Sequence, residues 1–229
     1  MKKQIIIAAS IITGCFLIST TTNAEDASLS SDKQKFSYAI GLQIGQSIAS
    51  QDVDIDSDAL ILAIKDAIAG EKPRVSVEEL QRVMVAEQKK AEKKQLADAD
   101  ENLKVGKSFL EENKKRTGIK TTDSGLQYRV ITEGSGIKPT IDDTVTVHYR
   151  GTLIDGTEFD SSYKREQPAT FPLKGVIKGW QEALPMMKQG SKWEIFVPAD
   201  LAYGSKGAGG KIGPNETLIF EIELLDIKQ

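Results

Sequence analysis

Phe159 and Asp160, an aromatic and a carboxylate, follow a turn that returns them towards Tyr149. The groups that would do covalent or metal chemistry nearby are few. His148 is the only histidine, so a Ser-His-Asp triad would have to use it, and no G-x-S-x-G nucleophile motif accompanies it. A metal site built on that histidine and the one cysteine, Cys15, lacks the ligand set of zinc centres. The run GSKGAGGK at 204–211 imitates a phosphate loop. A Walker A ending at Lys211 needs glycine at 205, which is serine, and serine or threonine at 212, which is isoleucine. Its glycines suit a mobile surface flap.

The element carrying Tyr149 reads as a strand. Val145, Val147, Tyr149, Gly151 and Leu153 share one parity, and Thr144, Thr146, His148, Arg150 and Thr152 the other, as in a strand with one buried and one wet face. His148 falls on the wet parity, which fits a structural or surface role. Asp155-Gly156 supplies a turn in which glycine takes positive φ. On spacing alone this is an ordinary hairpin with Phe and Tyr in its core.

The motifs VHYRGTLIDGTEFDSS, VIKGWQEAL, PADLAYGSKG and TLIFEIELL, in that order, change the reading. Over about 118–228 the chain closely resembles the FKBP family of peptidyl-prolyl cis-trans isomerases, and with its helical N-terminal half it is most similar to the Mip-type (macrophage infectivity potentiator) secreted bacterial branch. The resemblance implies a pocket with Trp180 as floor under a prolyl ring, Tyr149, Phe159, Phe171, Val176 and Ile177 as walls, and Phe220 as the far side. It implies that the Ile177 N–H and the Tyr203 hydroxyl bind substrate carbonyls, and that Asp160 lies beside the reacting amide, oriented by Tyr149 and Arg165. Such a site needs no cofactor, nucleophile or metal. Rotation about an X-Pro bond is opposed by a barrier of about 20 kcal/mol from amide resonance. That resonance charges the carbonyl oxygen, which water stabilises, so a dry apolar pocket disfavours the planar ground state relative to the twisted transition state. Ala169, Ala208 and Lys211 depart from well-known family members at the rim and flap, where they bear on substrate range and inhibitor affinity. The alternative function is a non-catalytic chaperone or proline-binding module at the cell surface.

The remaining elements follow from periodicity. Residues 31–51 read as a first helix, with a Ser31/Gln34 capping box, a stripe of Phe36, Ile40, Ile44 and Ile48, and Gly41 and Gly45 beside it. Residues 56–69 read as a second, capped at Asp56 or Ser57, with Leu60, Ile64 and Ile68 facing inward, stopped by Gly70 and Pro73. Helices of this size need a partner to bury their stripes, and domains of roughly 40 residues usually need oligomerisation, metals or disulfides. A homodimer is therefore expected, as the Mip resemblance also implies. A third helix from Val77 to about Asn113, with Ser76 and Glu79 as a capping box, would span roughly 55 Å. Its middle is polar on nearly all sides, as in a helix that bridges domains through solvent, and Phe109 and Leu110 restore apolar character near its end. From Leu126 the period becomes two. Leu126, Tyr128 and Val130 alternate, 170–173 is a short edge candidate containing Pro172, and 179–184 is a helix too short to exist unpacked. Trp193, Ile195 and Val197 alternate, as do Leu218, Phe220, Ile222 and Leu224.

The expected fold class is α+β: a signal peptide (1–24), an all-helical N-terminal dimerisation region (25–75), a long connecting helix (76–116), and a C-terminal FKBP fold (117–229), an antiparallel sheet wrapped around a short helix. Residues 2–18 read as a charged n-region and an apolar h-region with cleavage after Ala24, against which Ile12-Thr13-Gly14-Cys15 resembles a lipobox. Either route exports the protein, to the periplasm or to the outer membrane and cell surface of a bacterium. Membrane attachment is expected only if Cys15 is lipidated. The net charge of −3 carries no basic excess for nucleic acid. The expected partners are proline-containing polypeptides, a second copy of the chain, and macrolides such as rapamycin.

Overall fold

The computed structural model describes residues 29–49 and 54–228. The expected signal peptide, its cleavage site and Cys15 lie outside the described residues. The chain separates into two compact units, one ending at Gln46 and one from Ser47 onward.

Helix α1 spans Asp32–Ala49. Its capping box forms, with Ser31 Oγ accepting from Gln34 N at 3.2 Å and Gln34 Oε1 from Ser31 N at 3.0 Å. Helix α2 spans Ser57–Ala69, with the Asp56 carboxylate accepting from the N–H groups of Asp58 and Ala59 and Gly70 closing it at φ 71°. Neither helix has a buried residue. Phe36 and Ile68, from the two predicted stripes, are 69% and 84% exposed, so among the described residues the stripes are left largely uncovered. Helix α3 spans Val77–Asn113, the predicted bounds, and starts with Ser76 Oγ accepting from Glu79 N. The Glu79 carboxylate pairs with Arg82.

The second unit continues into a sheet. Its strands are β1 (Lys120–Thr121), β2 (Gln127–Thr132), β3 (Thr144–Thr152), β4 (Glu158–Ser161), β5 (Ala169–Pro172), β6 (Lys192–Val197) and β7 (Leu218–Lys228), with helix α4 (Lys178–Ala183) between β5 and β6. The seven-stranded sheet runs β1-β2-β6-β7-β3-β4, and β5 also pairs with β3. Every pairing is antiparallel. Strands β4 and β5 share the outer edge of β3, which places Pro172 on an edge strand, where its missing N–H costs least.

The parity predicted for β3 holds: Val145, Val147, Tyr149 and Gly151 are buried. They meet Ile195 and Val197 of β6 and Leu218, Phe220, Ile222 and Leu224 of β7 in a core completed by Trp180, Ala183, Leu184 and Met187. The short α4 is stable because its apolar side faces this core. Simple alternation fails in β6. Phe196, on the opposite parity, is only 2% exposed because Phe109 of α3 packs on it with ring centroids 5.9 Å apart.

Candidate active site

The sheet, α4 and the loop over 203–212 line an open cavity of about 550 Å³. Trp180 is its structural hub. Three rings stand edge-on to the indole: Tyr149 at 5.3 Å, Phe171 at 5.9 Å and Phe220 at 5.3 Å between centroids. Phe159 in turn meets Phe220 edge-on at 5.5 Å. Edge-to-face contact is the favoured geometry for aromatic quadrupoles, so the rings hold one another upright and leave an apolar hollow between them. Gly151 makes this possible. A Cβ there would lie 2.6 Å from the Phe159 ring and 2.9 Å from the Phe220 ring, so any other residue on the strand's inner face would push the two rings apart.

Beside the hollow is one ionic group. The Tyr149 hydroxyl donates to Asp160 Oδ2 in a short hydrogen bond, Arg165 pairs with the other carboxylate oxygen, and Arg165 Nη2 donates to the Tyr149 hydroxyl at 2.9 Å. The Ser161 N–H adds a bond of 2.8 Å to Asp160 Oδ1. Burial pushes the Asp160 carboxyl up, but the Tyr149 hydroxyl and the Arg165 guanidinium outweigh it and hold the group below the usual carboxylate range. Burial, reinforced by the bond to Asp160, pushes the Tyr149 phenol up. The site therefore presents a neutral phenol and a fixed carboxylate throughout the physiological range.

The predicted residues converge. Tyr149, Phe159, Asp160, Phe171, Val176, Ile177, Trp180, Tyr203 and Phe220 all line the cavity, and Arg165 stands behind Asp160. Ala208 and Lys211 line it as well, and Lys211 Nζ reaches to 3.5 Å from the Phe159 carbonyl. Ala169 is absent from the lining and pairs with Val147 at the edge of β3. Ile177 is the residue before α4, and its N–H has no hydrogen-bond partner among the described residues. The Trp180 indole N–H is buried and likewise unpaired.

Sequence reasoning missed Gly175, Gly209 and Ile212 in the lining. Ile212, the apolar residue after a run of glycines and one lysine, was the available signal. It also missed Ser162, whose buried Oγ accepts from the Tyr149 N–H at 2.7 Å and lies 2.9 Å from His148 Nδ1. That serine anchors the backbone of Tyr149. His148 stacks on Tyr163 at 4.7 Å outside the lining, in keeping with a structural role.

Comparison with known proteins bears on this geometry. A family model described as FKBP-type peptidyl-prolyl cis-trans isomerase matches residues 135–225, and one described as the domain amino terminal to that isomerase matches residues 33–130. The outer membrane protein MIP of Legionella longbeachae is 47% identical over 234 residues, spanning 100% of this chain and 99% of that protein. The peptidyl-prolyl cis-trans isomerase Mip of Coxiella burnetii is 45% identical, spanning 93% of this chain and 94% of that one. The crystal structure of FkpA from Escherichia coli superposes with a TM-score of 0.62 at 40% identity, covering 88% of this chain and 99% of that one.

Proposed function

The chain belongs to the FKBP-type peptidyl-prolyl cis-trans isomerase family, and from that premise we propose how its own residues perform the reaction. A client prolyl ring enters the hollow over Trp180, walled by Tyr149, Phe171, Val176 and Phe220. The Ile177 N–H and the Tyr203 hydroxyl each receive a client carbonyl, fixing the chain on both sides of the X-Pro bond. With water excluded, the planar amide loses the solvation of its charged resonance form, and the twisted amide, which has little charge separation, does not. Asp160 stays ionised because Tyr149 and Arg165 hold it, and its fixed field lies beside the rotating amide. The observation that carries this reading is the aromatic hollow over Trp180 with a single compensated carboxylate at its side.

We propose further that residues 25–75 are a dimerisation region in which the uncovered stripes of α1 and α2 meet those of a second copy, that 76–116 connects them to the isomerase region 117–229, and that the protein works in the bacterial envelope on exposed X-Pro bonds of unfolded clients. Macrolides such as rapamycin would fill the same hollow. A proline-limited refolding assay tests the reading: the protein should accelerate the slow phase and rapamycin should abolish the acceleration. An unaltered slow phase would overturn it.

A further inference from the structure

The 204–217 segment contributes the flap over the pocket, yet its sequence is poorly suited to holding a shape. Gly204, Gly207, Gly209 and Gly210 all take positive φ, and glycine-rich segments lose the most conformational freedom on ordering. The loop has internal backbone ties, among them a bond of 3.4 Å from the Gly207 N–H to the Gly204 carbonyl. At its tip, Ala208 and Ile212 exchange backbone hydrogen bonds of 2.9 and 3.0 Å; at its neck, the Asn215 N–H donates to the Gly204 carbonyl at 2.8 Å. Further ties at the neck come from outside the loop.

One face of α3 lies against that neck. The Asn102 side chain donates to the Pro214 carbonyl at 2.9 Å, and the Asn215 side chain donates back to the helix carbonyl of Ala99 at 3.2 Å. Asn215 does this from φ 56°, a left-handed conformation that few non-glycine residues adopt. One turn further along the helix, Gly106 is buried against Thr217, and a Cβ on Gly106 would lie 2.4 Å from the Thr217 hydroxyl. Residues 99, 102 and 106 share this face by helical spacing. The helix thus grips the outgoing strand of the neck at residues 214–217, shortly before Phe220, and the Asn215–Gly204 bond carries that hold across to the residue after Tyr203.

We propose that the C-terminal turns of α3 are a positioning element of the isomerase pocket: Asn102, Asn215 and the Gly106–Thr217 contact clamp the root of the flap, so that Ala208, Lys211 and Ile212 stay over the pocket. The helix contributes no residue to the lining and acts entirely through the loop. The inference rests on the isomerase reading for its effect on turnover, although the clamp itself does not.

The test uses the full-length protein and compares Asn102→Ala and Asn215→Gly with wild type. Asn215→Gly keeps the positive φ and removes the side-chain tie, and Asn102→Ala removes the other tie without adding backbone freedom to the loop. Hydrogen exchange should quicken at the Ala208 and Ile212 amides by roughly three- to tenfold, the change expected when one hydrogen bond is lost. The Ile222 and Leu224 amides of β7 should keep their wild-type rates. The catalytic efficiency on a short X-Pro peptide should fall by a similar factor. Gly106→Ala should reproduce the loss, and adding Thr217→Ala should restore much of it by vacating the space. Unchanged flap exchange, acceleration shared equally by β7, flap acceleration with unchanged turnover, or no recovery in Gly106→Ala/Thr217→Ala would overturn the proposal. If the wild-type protein failed to isomerise the peptide, the isomerase reading would fall, while the exchange pattern would still decide whether the clamp exists.

Discussion

The helices α1 and α2 and the sheet use similar amounts of apolar sequence to opposite ends. In the sheet, alternate residues of β3, β6 and β7 are fully buried against α4. In α1 and α2 no residue is buried, and Phe36, Ile44, Ile61 and Ile68 stay exposed. The sheet satisfies its own hydrophobic faces within one chain. The two helices present apolar faces that stay largely exposed among the described residues. Large exposed apolar patches mark interaction sites, so the contrast supports the proposal that one region holds the pocket and the other a second copy.

The largest effect should come from separating the regions. A fragment ending at Asn113 contains none of the cavity lining, and we expect it to self-associate in light scattering while showing no isomerase activity. A monomeric fragment would break the contrast.

Within the sheet, Trp180 and Asp160 should fail differently. Trp180→Ala removes the hub on which the other rings stand, and should destabilise the fold by about 3–5 kcal/mol and abolish macrolide binding. Asp160→Leu should lower peptide turnover by about tenfold, equivalent to about 1.4 kcal/mol of transition-state stabilisation, with the fold retained in circular dichroism. Wild-type turnover in Asp160→Leu would remove that residue from the site. Its depressed pKa means that the ionic contribution is present above the unfolded-state value and is lost as pH falls through the folded one. Turnover should therefore be level from about pH 8 down to about pH 5.

Ile44→Asp in α1 should test the other side of the contrast, by dissociating the proposed dimer while leaving short-peptide turnover within about twofold of wild type, since no residue of α1 lines the pocket.

The contrast was legible in the sequence to different depths. The parity of β3, the bounds of α3 and the caps of α2 follow from periodicity and capping chemistry, and the aromatic set around Trp180 follows from motifs. The seating of α3 on the sheet is legible only at Phe109. Its contact face runs through Ala99, Asn102, Gly106, Phe109 and Asn113, where amides and a glycine replace the expected apolar residues. Asn113 Nδ2 donates to Gln127 Oε1 at 2.9 Å, and Gln127 Nε2 donates to the Leu110 carbonyl at 2.9 Å. A hydrophobic pattern cannot announce a face that docks by hydrogen bonds.

The smallest effect concerns Glu216, next to the flap root. Burial pushes its carboxyl up, with a further rise from the charge of Asp155. A raised folded-state pKa favours folding below the unfolded-state value and is lost as pH rises through the folded one. Glu216→Gln should therefore raise the Tm by about 1–3 °C at about pH 7, and leave it unchanged at about pH 3, where both states are protonated.

The division of labour is tested most directly by one ratio: catalytic efficiency on a proline-limited refolding protein over that on a short peptide. It should be measured for the full-length chain and for a fragment of residues 98–229, which keeps the docked turns of α3. Two pockets held on one client raise the local concentration of pocket. The two proteins should match on the peptide, while the full-length chain is several-fold better on the refolding protein. Equal ratios would contradict the account.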